Sequence, residues 1–122
     1  LWHLDTAAGP LAARLVVNAA GLYGDHLDAA LGLPCAYTIR PRKGQFVVYD
    51  KPAFGLARHI LLPVPGKVTK GIVVCRTAWG NLLVGPTAEE QDDRATAALV
   101  PETLAALRQR GEEILPGLRD HD

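Results

Sequence analysis

Apolar positions along the chain fall into short runs punctuated by glycine and proline, with one longer helical repeat towards the C-terminal end. Residues 1–5 alternate weakly and predict a strand, and Ala7, Ala8, Gly9 and Pro10 a turn. Arg14-Leu15-Val16-Val17-Asn18 is a β-branched apolar run, the pattern of a strand buried on both faces. It leads into Ala19-Ala20-Gly21, where small side chains let the backbone approach another element or a ligand. Residues 22–31 predict a helix: Leu22, Leu27, Ala30 and Leu31 form its apolar stripe, while Asp25, His26 and Asp28 lie mostly off it. Asp25 near the start suits the helix dipole, and Gly32 and Pro34 mark the exit.

Residues 38–50 change character. Arg40, Arg42 and Lys43 put three cations within four positions, Gly44 breaks the run, and residues 46–49 read as a strand. Pro41 pushes Arg40 towards an extended conformation, so the segment predicts a basic loop at the mouth of a sheet, either an anion site or a solvated turn. Residues 59–62 predict a short edge strand closed by Pro63-Val64-Pro65-Gly66, and 67–70 a polar turn. Residues 71–77 and 82–85 read as two strands joined by a hairpin-length connection, followed by an acidic loop at 89–94. Pro101 and Glu102 open a second helix running to Ile114, with Leu104, Leu107, Gly111 and Ile114 or Leu115 facing inward and Arg108 and Arg110 facing water. Pro116-Gly117 ends it, and 118–122 are expected to fray. The composite is α+β: one mostly antiparallel sheet with two flanking helices, in a single domain.

Composition narrows the functional classes. The chain has 122 residues, 48% hydrophobic and 21% charged, enough for a globular core. Thirteen basic residues balance thirteen acidic ones, which argues against a general nucleic-acid or membrane-surface binder. No run of about 20 apolar residues exists to span a bilayer, and no signal-peptide pattern opens the chain. Cys35 and Cys75 lack metal-ligand spacing and read as reduced, structural cysteines in a cytoplasmic setting, with no metal site expected. The chain contains no methionine and opens inside a strand-like pattern, so it reads as a piece of a longer protein. His59 is the histidine placed beside a motif; a neutral imidazole there can take a proton, or it is structural. Arg76 and Thr77 read as a surface salt bridge or a contact to a substrate anion, and Trp79 at a hairpin tip as a cover for the sheet or a pocket.

Four segments, in order, resemble the D-amino-acid-oxidase-like flavoprotein superfamily. Val16-Val17-Asn18-Ala19-Ala20-Gly21-Leu22-Tyr23-Gly24-Asp25 resembles its "VVNAAGLWSD" segment, with Tyr23 where tryptophan is frequent. Arg40-Pro41-Arg42-Lys43-Gly44-Gln45 resembles "hPRKGEY", Ile60-Leu61-Leu62-Pro63-Val64-Pro65 resembles "IFPVP", and the segment from Gly80 to Glu89 resembles "GNLLLGPTAED". Together they are most similar to FAD-dependent glycerol-3-phosphate dehydrogenases, with L-2-hydroxyglutarate dehydrogenases as near relatives. The family's dinucleotide-binding GxGxxG turn and its C-terminal return to the flavin are missing. The resemblance therefore implies a substrate-domain fragment of an FAD enzyme, one not expected to hold FAD or turn over by itself.

In the parent, the resemblance implies oxidation of the secondary alcohol of glycerol 3-phosphate by hydride transfer to flavin. Asn18, Ala19, Ala20 and Gly21 would abut the cofactor. Arg40, Arg42, Lys43, Gly44 and Thr87 would bind substrate, with one or two of the three cations facing the site, and His59 would take the alcohol proton. A 2-hydroxy acid in place of glycerol 3-phosphate stays open. So do a non-catalytic anion-binding module, a homodimer through exposed sheet edges, the identity of the electron acceptor, and membrane association elsewhere in the parent.

Overall fold

A computed structural model describes residues 1–66 and 71–121, so the polar turn expected at 67–70 lies outside the described residues. The chain divides into two compact units, Leu1–Arg40 and Pro41–Asp122.

The first unit opens with an antiparallel hairpin of β1 (Trp2–Thr6) and β2 (Gly9–Ala13), in register from Trp2 opposite Ala13 to Thr6 opposite Gly9. The Thr6 hydroxyl closes the turn, donating to the Gly9 carbonyl at 2.8 Å and accepting the Ala8 N–H at 3.2 Å. Residues 15–20, by contrast, carry no regular structure, and Leu15 and Val17 are 77% and 74% exposed. The doubly buried strand expected at 14–18 is therefore corrected. A β-branched run has strand character, but a strand needs a neighbour to share its N–H and C=O groups, and no ladder reaches this run among the described residues. The expected first helix forms as a 3-10 turn, Gly21–Tyr23, running into α1 (Gly24–Ala30). Gly32 then takes a left-handed φ of 69° and bonds back to the Ala29 carbonyl, a glycine stop as expected.

Among its described residues the second unit holds two small antiparallel sheets in place of the one mostly antiparallel sheet expected. β3 (Arg42–Lys43) pairs antiparallel with β7 (Glu89–Glu90). β4 (Val47–Tyr49), β5 (Val73–Arg76) and β6 (Leu82–Gly85) form an antiparallel sheet of order β4-β6-β5. Residues 59–62 contribute a single bridge, Leu61 to Val74 on the outer side of β5, because the prolines that follow cannot extend a ladder. The helix expected from Pro101 to Ile114 forms as α2 (Pro101–Ile114).

Alternation along the three-stranded sheet turns Tyr49, Val74, Leu82 and Val84 inward, where they meet Leu107 of α2, Leu118, Ala53 and Ala57. Full burial of one such large side chain stabilises by about 1.5–3 kcal/mol, so this cluster is the main source of stability in the unit. Gly111 lets α2 close on β6: a Cβ there would lie 2.9 Å from Val84 Cγ1. Two expectations at this end are corrected. Residues 116–120 do not fray but form a 3-10 turn (Pro116–Asp120), because Leu118 is wholly buried. Nor does Arg108 simply face water: its guanidinium lies 5.7 Å from the centre of the Tyr49 ring and pairs with Glu112 at 3.8 Å. The fold class is α+β, with small antiparallel sheets and few helices.

Candidate functional site

Residues 18–21 form a turn pinned by one side chain. Asn18 Nδ2 donates to the Gly24 carbonyl at 2.8 Å and to Asp28 Oδ1 at 2.6 Å, while its Oδ1 accepts the Ala20 N–H at 3.1 Å. All three bonds run to the turn or to α1, so Asn18 sets the turn's shape. Ala19 and Gly21 are exposed, and nothing lies within 4 Å of where a Cβ on Gly21 would sit. Gly21 adopts φ 56°, a conformation that side chains resist, which is the local reason for glycine there.

The carboxylates of α1 reach further along the unit. Asp28 Oδ2 accepts the Tyr37 hydroxyl at 2.7 Å, and Asp25 Oδ2 accepts the Ile39 N–H at 2.9 Å. Bonds from Tyr37 and then Asn18 hold the Asp28 carboxyl below its usual range, and the same Asp28 bond pushes the Tyr37 phenol up to about 12. Asp25 is only 6% exposed, and the view of these carboxylates as lying off the packed face is corrected: they are the internal ties of the unit. Arg40, at its end, is exposed.

In the second unit the basic loop meets its own counter-charges. Arg42 Nε donates to Glu90 Oε1 at 2.7 Å. Lys43 Nζ donates to the Ala98 carbonyl at 2.9 Å and lies 3.6 Å from Glu89. Glu89 in turn accepts the Gln45 side-chain amide at 2.8 Å and the Thr87 hydroxyl at 2.6 Å, bonds that hold its carboxyl below the usual range. Gln45 is almost wholly buried and works at every polar atom: its N–H goes to Thr87 Oγ1, its carbonyl accepts the Thr87 N–H, and its Oε1 accepts the Val100 N–H at 2.8 Å. Gly44 presses on the opposite turn, where an added Cβ would meet Pro86 Cβ at 2.9 Å and the Thr87 carbonyl at 3.2 Å. Lys43, Gly44 and Thr87 are thus brought together around Gln45 and Glu89.

His59 is exposed on a bend. Arg76 turns to Phe54: its Nε donates to the Phe54 carbonyl at 2.8 Å and its guanidinium stacks 4.1 Å from the Phe54 ring centre. Trp79 is 82% exposed at the hairpin tip. A surface pocket lined by Pro63, Gly71, Ile72, Arg110 and Ile114 takes in none of the candidate residues. Among the described residues no group of three or more histidine, cysteine or acidic side chains is placed to hold a metal, and no helix is long and apolar enough to cross a membrane. Sequence reasoning overlooked Gln45, Glu89, Asp25 and Asp28. The opposite charges of the 42–43 and 89–90 dipeptides were the available signal for the β3–β7 pairing.

Comparison with known proteins gives these sites a context. The family model described as "FAD dependent oxidoreductase" matches residues 1–122. The chain is similar to a glycerol 3-phosphate dehydrogenase of Caloramator mitchellensis, 36% identical over 75% of this chain and 19% of the relative. It is also similar to a glycerol 3-phosphate oxidase of Mycoplasma pneumoniae, 29% identical over 97% of this chain and 31% of the relative. Glycerol-3-phosphate dehydrogenase 1 of Mycobacterium tuberculosis is 31% identical over 66% of this chain and 14% of the relative. The chain spans less than a third of the length of each. No solved structure gives a significant match.

Proposed function

The chain belongs to the family of FAD dependent oxidoreductases, and from that premise we propose that the protein carrying it oxidises the secondary alcohol of glycerol 3-phosphate to dihydroxyacetone phosphate. FAD, when bound, supplies the acceptor for the hydride that leaves the carbinol carbon. The observation that carries the reading is the 18–21 turn, which sits in the family-matching chain with small side chains and open space at Gly21. Those residues fit a large cofactor: the backbone is approachable, and Asn18, tied to α1, holds it in one shape. Asn18, Ala19, Ala20 and Gly21 are therefore the residues of this chain that would hold FAD.

Recognition of the phosphate falls first to Arg40. Arg42 is committed to Glu90 and Lys43 to Glu89 and the Ala98 carbonyl, so their charge is largely balanced within the chain. Gly44 and Thr87 would shape the wall beside them. The exposed imidazole of His59 is this chain's candidate to receive the hydroxyl proton. The acceptor that reoxidises the cofactor would be oxygen or another carrier.

The test is anaerobic titration of the full-length, flavin-loaded protein. Bleaching of the flavin band by glycerol 3-phosphate, with dihydroxyacetone phosphate recovered, is the expected result. Bleaching by L-2-hydroxyglutarate instead would move the substrate to the 2-hydroxy acids. Saturable phosphate binding without bleaching by either would replace the enzyme with an anion-binding module.

A further inference from the structure

The 18–21 turn and the backbone leading into Arg40 lie far apart in sequence, yet both are fastened to α1. Asp28 divides its two oxygens between them, Oδ1 accepting Asn18 Nδ2 at 2.6 Å and Oδ2 accepting the Tyr37 hydroxyl at 2.7 Å. Near the start of the helix, Asp25 Oδ2 takes the Ile39 N–H at 2.9 Å and Oδ1 takes the His26 N–H at 3.0 Å. Gly24 adds to the packing, since a Cβ there would lie 3.5 Å from Ile39 Cδ1 and 3.8 Å from both Asn18 Nδ2 and the Tyr37 hydroxyl. One short helix therefore meets the anchor of the turn on one side and residues 37 and 39 on the other. With Ile39 pinned and Pro41 restricting the residue before it, the backbone origin of the Arg40 side chain is set, and the guanidinium reaches from a fixed point.

We propose that Asp25 and Asp28 are positioning residues that fix Arg40 relative to the 18–21 turn and so set the enzyme's preference for an alcohol bearing an anionic group at a defined distance from the oxidised carbon. This rests on the functional reading above for what the turn and the cation bind. Neither carboxylate touches substrate in this arrangement; each acts through the backbone or side chain it holds. Displacing Arg40 weakens binding of the anionic group in ground and transition states alike, so the loss falls on KM more than on kcat.

The experiment compares full-length, flavin-loaded wild type with Asp28→Asn, Tyr37→Phe and Asp28→Glu, using glycerol 3-phosphate and uncharged glycerol as substrates. Asp28→Asn and Tyr37→Phe are expected to raise KM for glycerol 3-phosphate by about tenfold, with kcat within about twofold, and to narrow the preference over glycerol by the same factor. Asp28→Glu, which keeps the carboxylate, is expected to recover most of that preference. Amide hydrogen exchange, which needs no turnover, is expected to quicken at Ile39 and Ala20 in the first two variants. Tyr37→Phe is the milder change and decides the matter if Asp28→Asn does not fold. Faster exchange with an unchanged preference over glycerol would overturn the assignment, leaving a purely structural tie. Unchanged exchange at both amides would overturn the clamp itself. A wild type that fails to bleach with glycerol 3-phosphate would instead overturn the functional reading, and the exchange measurement would still decide whether α1 holds the two segments.

Discussion

The two compact units are held together by different forces. Among the described residues every buried apolar side chain belongs to the second unit: Tyr49, Val74, Leu82, Val84, Leu107 and Leu118 close a core between a sheet and a helix. The first unit leaves Leu11, Leu15, Val17, Leu22 and Tyr37 exposed and buries a carboxylate, Asp25, instead. Its ties are directed hydrogen bonds from Asn18, Tyr37 and the Ile39 N–H to two aspartates. Apolar burial is non-directional and tolerant of small displacements, whereas a hydrogen bond is lost when its geometry fails. The segment proposed to face the cofactor thus lies where position is specified by polar geometry, and the apolar core serves as ballast elsewhere.

The largest effect should come from cutting that core. Leu82→Ala in the full chain is expected to cost about 2–5 kcal/mol in urea unfolding, while the same cut at the exposed Leu15 should stay within about 0.5 kcal/mol. Equal losses at the two leucines would erase the contrast. Next comes Gln45→Leu, which strips partners from the Val100 N–H and from Glu89 and is expected to cost about 1–3 kcal/mol. It tests whether the second unit also depends on a polar hub.

The response to pH separates the units further. The Asp28 and Glu89 carboxyls are both held low in the folded state, so the stability they add is present above the ordinary carboxylate range near about 4 and is lost as pH falls through their folded values. Tyr37 shifts the other way. Its phenol is raised to about 12, so its contribution is complete below about 10 and is lost as pH rises through the folded value. Stability measured across that alkaline window, with tyrosinate absorbance as the monitor, should fall in wild type by more than in Tyr37→Phe. Parallel curves would remove Tyr37 from the account. The smallest effect is expected from Arg42→Ala, whose exposed pairing with Glu90 should be worth no more than about 1 kcal/mol and should fade in high salt.

How much of this could be read from the sequence depends on how local the signal is. The second helix was legible from Pro101 to Ile114 because its start, its stripe and its stop all lie within the segment. The strands around residues 73–76 and 82–85 were legible for the same reason, their turn lying between them. The run at 14–18 misled because strand formation depends on a partner that composition does not name. The basic loop read as an anion site or a solvated turn, with no internal pairing, because the counter-charge of Arg42 lies 48 positions away. Asn18 was singled out as a cofactor contact, but its amide also works on α1, a role that small-residue context could not reveal.

The bond between Gln45 and Val100 bears on how the chain folds. Val100 precedes the first turn of α2, and its N–H is received by Gln45 from 55 positions upstream, doing from afar what a glutamate or glutamine inside a helix commonly does for its own N-terminus. A cap borrowed over that distance cannot form until the intervening loop has closed, and loop closure carries an entropic cost that a local cap avoids. The start of α2 should therefore be among the late events in folding and among the first to loosen, with the Val100 amide reporting whether the basic loop is in place.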